Sequence, residues 1–599
     1  MDYRSVTSLP AMFFAQAERL ADRPFLWRKL DGAFRPLSYG EAGRQASLLA
    51  RGLIDLGVGP GDRIVLVAEN RPEWLIADHA IMATGAVTVP AYTTNTTADH
   101  THVLTHSGAK GAIISGKGIA KRFLPAALES GDLAFVISME PLDLAQEPPV
   151  RVFSWAHVLA QGAKQPEAAL MSRMAQLERG GVCCIIYTSG TGGVPRGVML
   201  THGSILCNLL GCFEVLKGFG LGDEVFLSFL PLSHSYEHTA GQFLPVSIGA
   251  QIYYAESVDR LLDNMLEARP TLILAVPRLY EVIHQRIMRA MERTAGLRRR
   301  FFDLALRLGR RRYEQAGRLS LWECVADRLM DVLVRSKVQR RFGGRLKGFV
   351  SGGAALNHEI GLFFTALGVR ILQGYGQTET SPVVSVNLPE RIKLHTVGPP
   401  MVDIEVKIAG DGEVLVRGEA VMQGYWRDPE GTAAAIRDGW LHTGDIGVLD
   451  ADNYLQITDR KKDIIVLSGG DNVSPARVEG FLCLEPEIAQ AMVHGDKRPH
   501  LVALLVPDAD FATAWARRAG KPNDLAGLVA DAAFLQALGA AVDRVNARLS
   551  SIERIRRFVP ASEPFSTDNG MMTASLKIRR HKIRERYGEA LERLYAKAT

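Results

Sequence analysis

Residues Ile185 to His202 read IIYTSGTGGVPRGVMLTH. An apolar run empties there into Thr188, Ser189, Gly190, Thr191, Gly192 and Gly193, with Arg196 close behind. Glycines let a backbone approach a ligand closely. Successive N–H groups in such a loop form a concavity for anions, and the hydroxyls add donors. Arg196 supplies a fixed positive charge. Phosphate binding is the chemistry this suits, although by composition alone a flexible Gly/Thr turn between strands reads the same. The loop is not a Walker A, because no Gly-Lys-Ser/Thr opens a helix at the required spacing.

Other chemistry-bearing residues follow in order. His234 lies in FLPLSHSYEH, and Gly352, Gly353 and Ala354 lie in VSGGAAL. Gln373, Gly374, Tyr375, Gly376, Thr378 and Glu379 belong to QGYGQTETSP. Asp445 lies in GWLHTGDIG, Asp459 and Arg460 head a charged run, and Gly469 and Gly470 lie in SGGDNVSP. Lys577 closes the series in NGMMTASLKIRRHKI. Taken singly, several have bland readings: a satisfied interior histidine, a tight turn, a Gly-rich connector, a solvated basic C-terminus. No cysteine or serine is placed as a covalent nucleophile.

These residues need elements to hold them. Tyr39–Leu56 has helical spacing and ends at glycines, and Arg63–Ala68 is a short apolar strand. A helix-like run over Glu73–Thr84 and a strand over Ala86–Pro90 follow. The rhythm recurs at Val182–Tyr187, Gly203–Leu216, Glu224–Phe229, Gln251–Tyr254 and Leu272–Ala275, which predicts α/β layers with parallel sheets. From Thr396 to Tyr454 the texture turns to short β runs, and after Asp459-Arg460-Lys461-Lys462-Asp463 a new unit begins. Between Glu281 and Val338 the chain is helical and rich in arginine. That pattern reads as a solvated face over a packed one, and it also suits an amphipathic surface meeting anionic lipid.

The 599 residues are 47% hydrophobic and 23% charged, which is ordinary for a soluble globular protein and argues against wholesale disorder. A net charge of +5 is too weak a bias for a nucleic-acid packer. The six cysteines form no Cys-x-x-Cys pair or Cys/His ligand set, so structural zinc is not expected and a reducing compartment is. No secretory signal or apolar stretch of ~18 residues is legible. A cytoplasmic protein is expected, with peripheral contact at a membrane left open.

YTSGTGGVPRGVMLTH closely resembles the phosphate-loop signature of the AMP-forming acyl-adenylate synthetases, the superfamily of acyl-CoA synthetases, luciferases and peptide-synthetase adenylation domains. Gly192 stands where threonine is usual and Arg196 where lysine is usual. The remaining blocks match the family in order, and the resemblance runs from about Leu9 to about Ile583. It implies that Thr188 to Gly193, Arg196 and Thr378 contact phosphates and that Glu379 is the magnesium carboxylate. Gly352, Gly353, Ala354 and Gln373 to Gly376 would form the nucleotide site, with Tyr375 flanking adenine. Asp445 and Arg460 would meet the ribose, Asp459 would be the hinge, and His234 would lie near the acyl and pantetheine channels. Gly469 and Gly470 belong to a loop that swings in for thioester formation, and Lys577 is the adenylation lysine. PRLYEVIHQRI, the Arg-rich insertion and RFGGRLKGFVSGGAAL look like long-chain fatty-acyl-CoA synthetases.

The implied fold is α/β: a large N-terminal AMP-binding domain over 1–458, made of layered α/β subdomains plus a β-rich one, and a small mobile α+β domain over 459–599. The implied reaction activates a long-chain fatty acid with ATP and Mg2+ to acyl-AMP, then transfers the acyl group to coenzyme A. An apolar channel near His234 and Ser351–Ala355 is expected to open towards the Arg-rich helices. A fatty-acyl-AMP ligase, a medium-chain or aryl acid ligase, and a catalytically dead nucleotide-binding scaffold are the alternatives. Fatty acid, ATP and coenzyme A are the expected partners, without nucleic acid, and monomer and homodimer both stay open.

Overall fold

The apolar runs of the first half become strands of two eight-stranded sheets. The computed structural model describes residues 1–142, 150–188, 195–315, 318–469, 471–573 and 578–596. One sheet runs, in spatial order, Arg151–Ser154, Phe135–Ser138, Gly111–Ile114, Arg63–Val67, Val87–Pro90, Val182–Thr188, Arg196–Thr201 and Gly424–Tyr425. Its first six strands pair in parallel, and short runs such as GAII and FVIS are buried on both faces, as parallel sheets require. The last two pairings are antiparallel. The connection between Thr188 and Arg196 is too short for a parallel crossover, which needs a dozen residues or more.

The second sheet runs Val383–Val386, Ile371–Gly376, Gly348–Ser351, Leu272–Ala275, Val225–Ser228, Gln251–Tyr254, Pro24–Leu30 and Ala33–Ser38. It is parallel except at its two outermost pairings. Helices Pro72–Ala83 and His202–Lys217 each touch both sheets. Every residue of Pro72–Ala83 except Glu73 is buried, as expected of a helix inserted between two layers.

A third, five-stranded sheet is antiparallel and contains Glu413–Arg417, Trp440–Leu449 and Leu455–Arg460. Beyond it lies a smaller unit: a hairpin of Ile465–Val466 and Asn472–Val473, then a three-stranded sheet of Ile488–His494, Leu501–Pro507 and Ile555–Pro560, with its own apolar cores.

The arginine-rich segment forms helices Pro277–Glu292, Leu297–Glu314 and Leu321–Met330, the last continuing through a π turn into Ser336–Arg341. Phe302, Ala305 and Leu308 face inwards and join Phe363 and Phe364 in one core, so Leu297–Glu314 does carry a packed face beneath its arginines. Among the described residues, no helix is long and apolar enough to cross a membrane.

Candidate active site

Antiparallel pairing places Thr188 directly opposite Arg196 at the mouth of the Gly/Thr loop. Both line a cavity of about 600 Å3. Ser189, Gly190, Thr191, Gly192 and Gly193 lie outside the described residues, as do Gly470 and Lys577. The Arg196 guanidinium stands 4.0 Å from the centroid of the Tyr425 ring and 3.7 Å from Asp428. Tyr425 is brought there because Gly424–Tyr425 adds an edge strand beside Arg196–Thr201. Its hydroxyl donates to Glu379 Oε1 at 2.9 Å, so a cation and an anion share one aromatic support.

Strand Ile371–Gly376 ends at the same cavity, where Gly374, Tyr375, Gly376, Gln377, Thr378 and Glu379 line the wall. Gly376 must be glycine, because a Cβ there would meet the Pro382 carbonyl oxygen at 1.8 Å. The Thr378 hydroxyl lies 3.0 Å from that of Ser235. Asp445 sits just behind this wall and is 3% exposed. Its Oδ2 accepts 2.6 Å hydrogen bonds from the Tyr375 hydroxyl and from Gln377 Nε2, and Arg460 Nε lies 3.4 Å from its Oδ1. Burial and the neighbouring carboxylate push the Tyr375 phenol well above its ordinary value, so it is a hydrogen-bond donor at any physiological pH. A carboxylate offers about four lone pairs, so Asp445 retains acceptor capacity after these bonds.

The segment after Leu230 turns sharply. His234 Nδ1 accepts from the Tyr236 backbone N–H at 3.2 Å, and the Tyr236 hydroxyl donates to the Val350 carbonyl at 2.9 Å. The Tyr236 ring thereby covers Gly352, where a Cβ would come within 3.1 Å of it. His234, Ser351, Gly352 and Gly353 all line the cavity. Behind Tyr236 the chain forms a π turn over Glu237–Phe243, a feature frequent at functional sites. Beneath it Glu237 accepts from Ser228 at 2.7 Å, and His238 lies 2.7 Å from Asp78, all four side chains being buried.

The other end of the cavity is apolar. Cys212, Val215 and Leu216 of helix His202–Lys217 face Ala240, Leu244, Leu274, Leu372, Val383 and Val386 across it. Among the described residues, none between Pro277 and Arg341 lines it. The expected opening towards the Arg-rich helices is therefore wrong: those helices pack on the far side of Phe349 and Phe364, while the channel runs between helix His202–Lys217 and the sheet edge.

Several expected residues stand off the cavity wall. Gln373 turns inwards, donating from Nε2 to the Leu394 carbonyl at 2.6 Å and accepting from Leu356 N–H on Oε1, so it braces the loops. Ala354 and the exposed Gly469 do not line the wall. Asp459 pairs with Ile446 in the third sheet, and burial raises its carboxyl above the ordinary value. Arg460, Lys461, Lys462 and Thr573 do line the cavity. Tyr425 and Gln377 escape sequence reasoning, since neither stands beside its partners along the chain. The described residues contain no cluster of three or more His, Cys, Asp or Glu suited to a resident metal. Glu379 presents a carboxylate oxygen beside Thr378 at the polar end of the cavity, which fits a hard cation that arrives with phosphates and waters as its other ligands.

Residues 13–426 match the model of the AMP-binding enzyme family, and residues 462–599 match the AMP-binding enzyme C-terminal domain. The chain belongs to the AMP-binding enzyme family. Within it, the chain is 33% identical over 598 residues to the long-chain-fatty-acid–CoA ligase FadD15 of Mycobacterium tuberculosis, covering 98% of this chain and 97% of that one. It is 32% identical to the peroxisomal long chain acyl-CoA synthetase 6 of Arabidopsis thaliana, with 94% and 82% covered. The fold is that of the adenylation domain of a carboxylate reductase from Mycobacterium chelonae, with a TM-score of 0.77 at 22% identity, covering 99% and 92%. The adenylation domain of a carboxylic acid reductase from Segniliparus rugosus, in complex with AMP and a co-purified carboxylic acid, gives 0.77 at 22% identity, covering 98% and 94%. This AMP-binding enzyme thus has the family's large N-terminal and smaller C-terminal units.

Proposed function

We propose that the protein is a long-chain fatty acid–CoA ligase that forms AMP. The observation that carries this reading is the continuity of one cavity, from Arg196, Thr378 and Glu379 at its polar end to Cys212, Leu216 and Val386 at its apolar end. A carboxylic acid with a long apolar tail and a nucleotide fit such a space together. The kinship with long-chain ligases over nearly the whole chain supports the same substrate class.

A carboxylate is a poor acyl donor because oxide would have to leave. Its oxygen attacks the α-phosphorus of ATP, the bond to pyrophosphate breaks, and acyl-AMP remains. Charge gathers on phosphoryl oxygens, so this chain's contribution is positioning and electrostatic stabilisation. Thr188, the loop from Ser189 to Gly193, Arg196 and Thr378 hold phosphates, and Tyr425 keeps Arg196 and Glu379 in place. Asp445, braced by Tyr375, Gln377 and Arg460, accepts the ribose hydroxyls. Glu379 would hold the magnesium that enters with ATP, which when bound offsets phosphate charge. Lys577 bridges the attacking carboxylate and the α-phosphate. The coenzyme A thiolate then attacks the acyl carbonyl near His234, and AMP leaves. Asp459 acts as the hinge between residues 1–458 and 459–599, and the loop at Gly469 and Gly470 approaches for the second step. The work is done where ATP and coenzyme A are abundant, with the acid drawn from a lipid phase.

The test is pyrophosphate release and acyl-CoA formation across a series of fatty acids, with and without coenzyme A. Turnover that peaks at long chains and needs coenzyme A for sustained cycling is expected. A peak at acetate or benzoate would overturn the substrate class, and acyl-AMP accumulation indifferent to coenzyme A would overturn the second step.

A further inference from the structure

Three strand ends meet at the polar end of the cavity, and one short helix holds all three from behind. Thr188, Arg196 and Tyr425 line the cavity. Side chains alternate between the two faces of a strand, so the neighbours Tyr187 and Trp426 turn to the other face and its apolar core. There they meet helix Thr97–Ser107, whose His102 and His106 stand one turn apart and stack with ring centroids 5.3 Å from each other. His106 Nδ1 lies 2.8 Å from the Tyr187 hydroxyl, and the Trp426 indole N–H donates to the His106 carbonyl at 3.0 Å. His102 Nε2 donates to the Pro195 carbonyl at 3.1 Å. Each contact falls on the immediate neighbour of a residue that faces the cavity.

The His102 contact answers a local need. The ladder between strands Val182–Thr188 and Arg196–Thr201 stops at Thr188 opposite Arg196. Pro195 has no N–H and cannot carry the pairing further, so its carbonyl is the group left to tie this end down. A carbonyl only accepts, which places the donated proton on His102 Nε2. The Tyr187 ring stands edge-on to both imidazoles, with its centroid 5.9 Å from that of His102 and 5.7 Å from that of His106. This packing fixes where the two histidines stand against the strand. Neither histidine is among the residues that line the cavity, so each acts through the strand ends and not on a substrate.

We propose that His102 and His106 are positioning residues for ATP: they hold Thr188 and Arg196 at the separation that receives the β- and γ-phosphates, and through Trp426 they keep Tyr425 beside the Arg196 guanidinium. The inference rests on the reading that Thr188 and Arg196 hold phosphates. Misplacing such groups by about an ångström can cost about a hundredfold in rate. Acyl-AMP has lost the β- and γ-phosphates, so the second half-reaction is indifferent to this clamp. A helix that merely packed on the sheet would affect both half-reactions alike.

The test is calorimetric titration of the full-length protein with ATP and Mg2+, together with the two half-reactions assayed separately. His102→Ala should weaken ATP binding, and lower kcat/KM for ATP in pyrophosphate release, by about ten- to a hundredfold. KM for palmitate should not change, and preformed palmitoyl-AMP should react with coenzyme A at the wild-type rate. His102→Gln keeps an N–H donor near the position of Nε2 and should restore ATP binding to within about threefold of wild type. His106→Phe keeps a ring against Tyr187 but removes the nitrogen, and it should show the same selective loss. Wild-type ATP affinity in both His102→Ala and His106→Phe would overturn the inference. So would equal losses in the two half-reactions, or a glutamine variant no better than alanine. Failure of wild type itself to bind ATP would overturn the phosphate reading, and the inference with it.

Discussion

The Tyr425 hydroxyl donates to Glu379 Oε1 at 2.9 Å, joining an edge strand to a loop 46 residues earlier in the chain. The same ring supports the Arg196 guanidinium. Tyr425→Phe keeps the ring and removes only the donor to a carboxylate. Hydrogen bonds to charged groups contribute ~1.5–3 kcal/mol, so pyrophosphate release should slow by up to about a hundredfold, with a small fall in melting temperature. A wild-type rate would take the Tyr425 hydroxyl out of the mechanism.

Leu216 closes the apolar end of the cavity and is 5% exposed. Leu216→Trp should shorten the acids accepted, raising KM for palmitate and leaving octanoate little changed. Each lost methylene of contact is worth ~1–3 kcal/mol. The ratio of kcat/KM for the two acids is the readout, and an unchanged ratio would mean that the acyl chain runs elsewhere.

Lys577→Ala should separate the two half-reactions. Loss of one preorganised donor costs ~2.7–4 kcal/mol, roughly a hundred- to thousandfold in rate. Acyl-adenylate formation should fall by that factor, whereas preformed acyl-AMP should react with coenzyme A at the wild-type rate. Equal losses in both steps would point to a damaged fold, and no loss in either to a solvated surface charge.

Burial pushes the Glu237 carboxyl up to about 7 from 4.5. Folding therefore favours the protonated acid, and the stability that this supplies is complete below pH 4.5 and lost as pH rises through 7. Relative to Glu237→Gln, wild type should lose up to ~3 kcal/mol across that window. Paired thermal melts from pH 4.5 to 8 check it, since other titrations cancel between the two proteins. A difference that stays constant, or grows in favour of wild type, would show that Glu237 is ionised in the fold.

The sequence makes the strands legible wherever burial on both faces forces an uninterrupted apolar run, as in Gly111–Ile114 and Leu272–Ala275. It marks most of the polar end of the site, because Thr188, Arg196 and Glu379 lie in short motifs whose residue types suit phosphate and a hard cation. Tyr425 and Gln377 stay hidden: their bonds reach Glu379 and Asp445 across 46 and 68 residues, and strand pairing alone creates that proximity. The direction of the apolar channel is hidden for a related reason. Leu216 and Val386 look like ordinary core residues until the fold leaves space between them. The π turn at Glu237–Phe243 is equally silent, since a helical pattern of apolar residues does not reveal a widened turn.

Strand Leu455–Arg460 stays in the third sheet up to its final residue, with Arg460 opposite Asp445, and the Lys461 N–H donates to the Gly444 carbonyl at 2.8 Å. The C-terminal unit matched by the family begins at residue 462. There is no slack between the two. A tether this short holds the smaller unit at an effective concentration on the order of millimolar or higher, so its encounters with the cavity do not depend on protein concentration. Cutting the chain here and supplying the two parts at micromolar levels would forfeit that advantage even if both parts kept their folds.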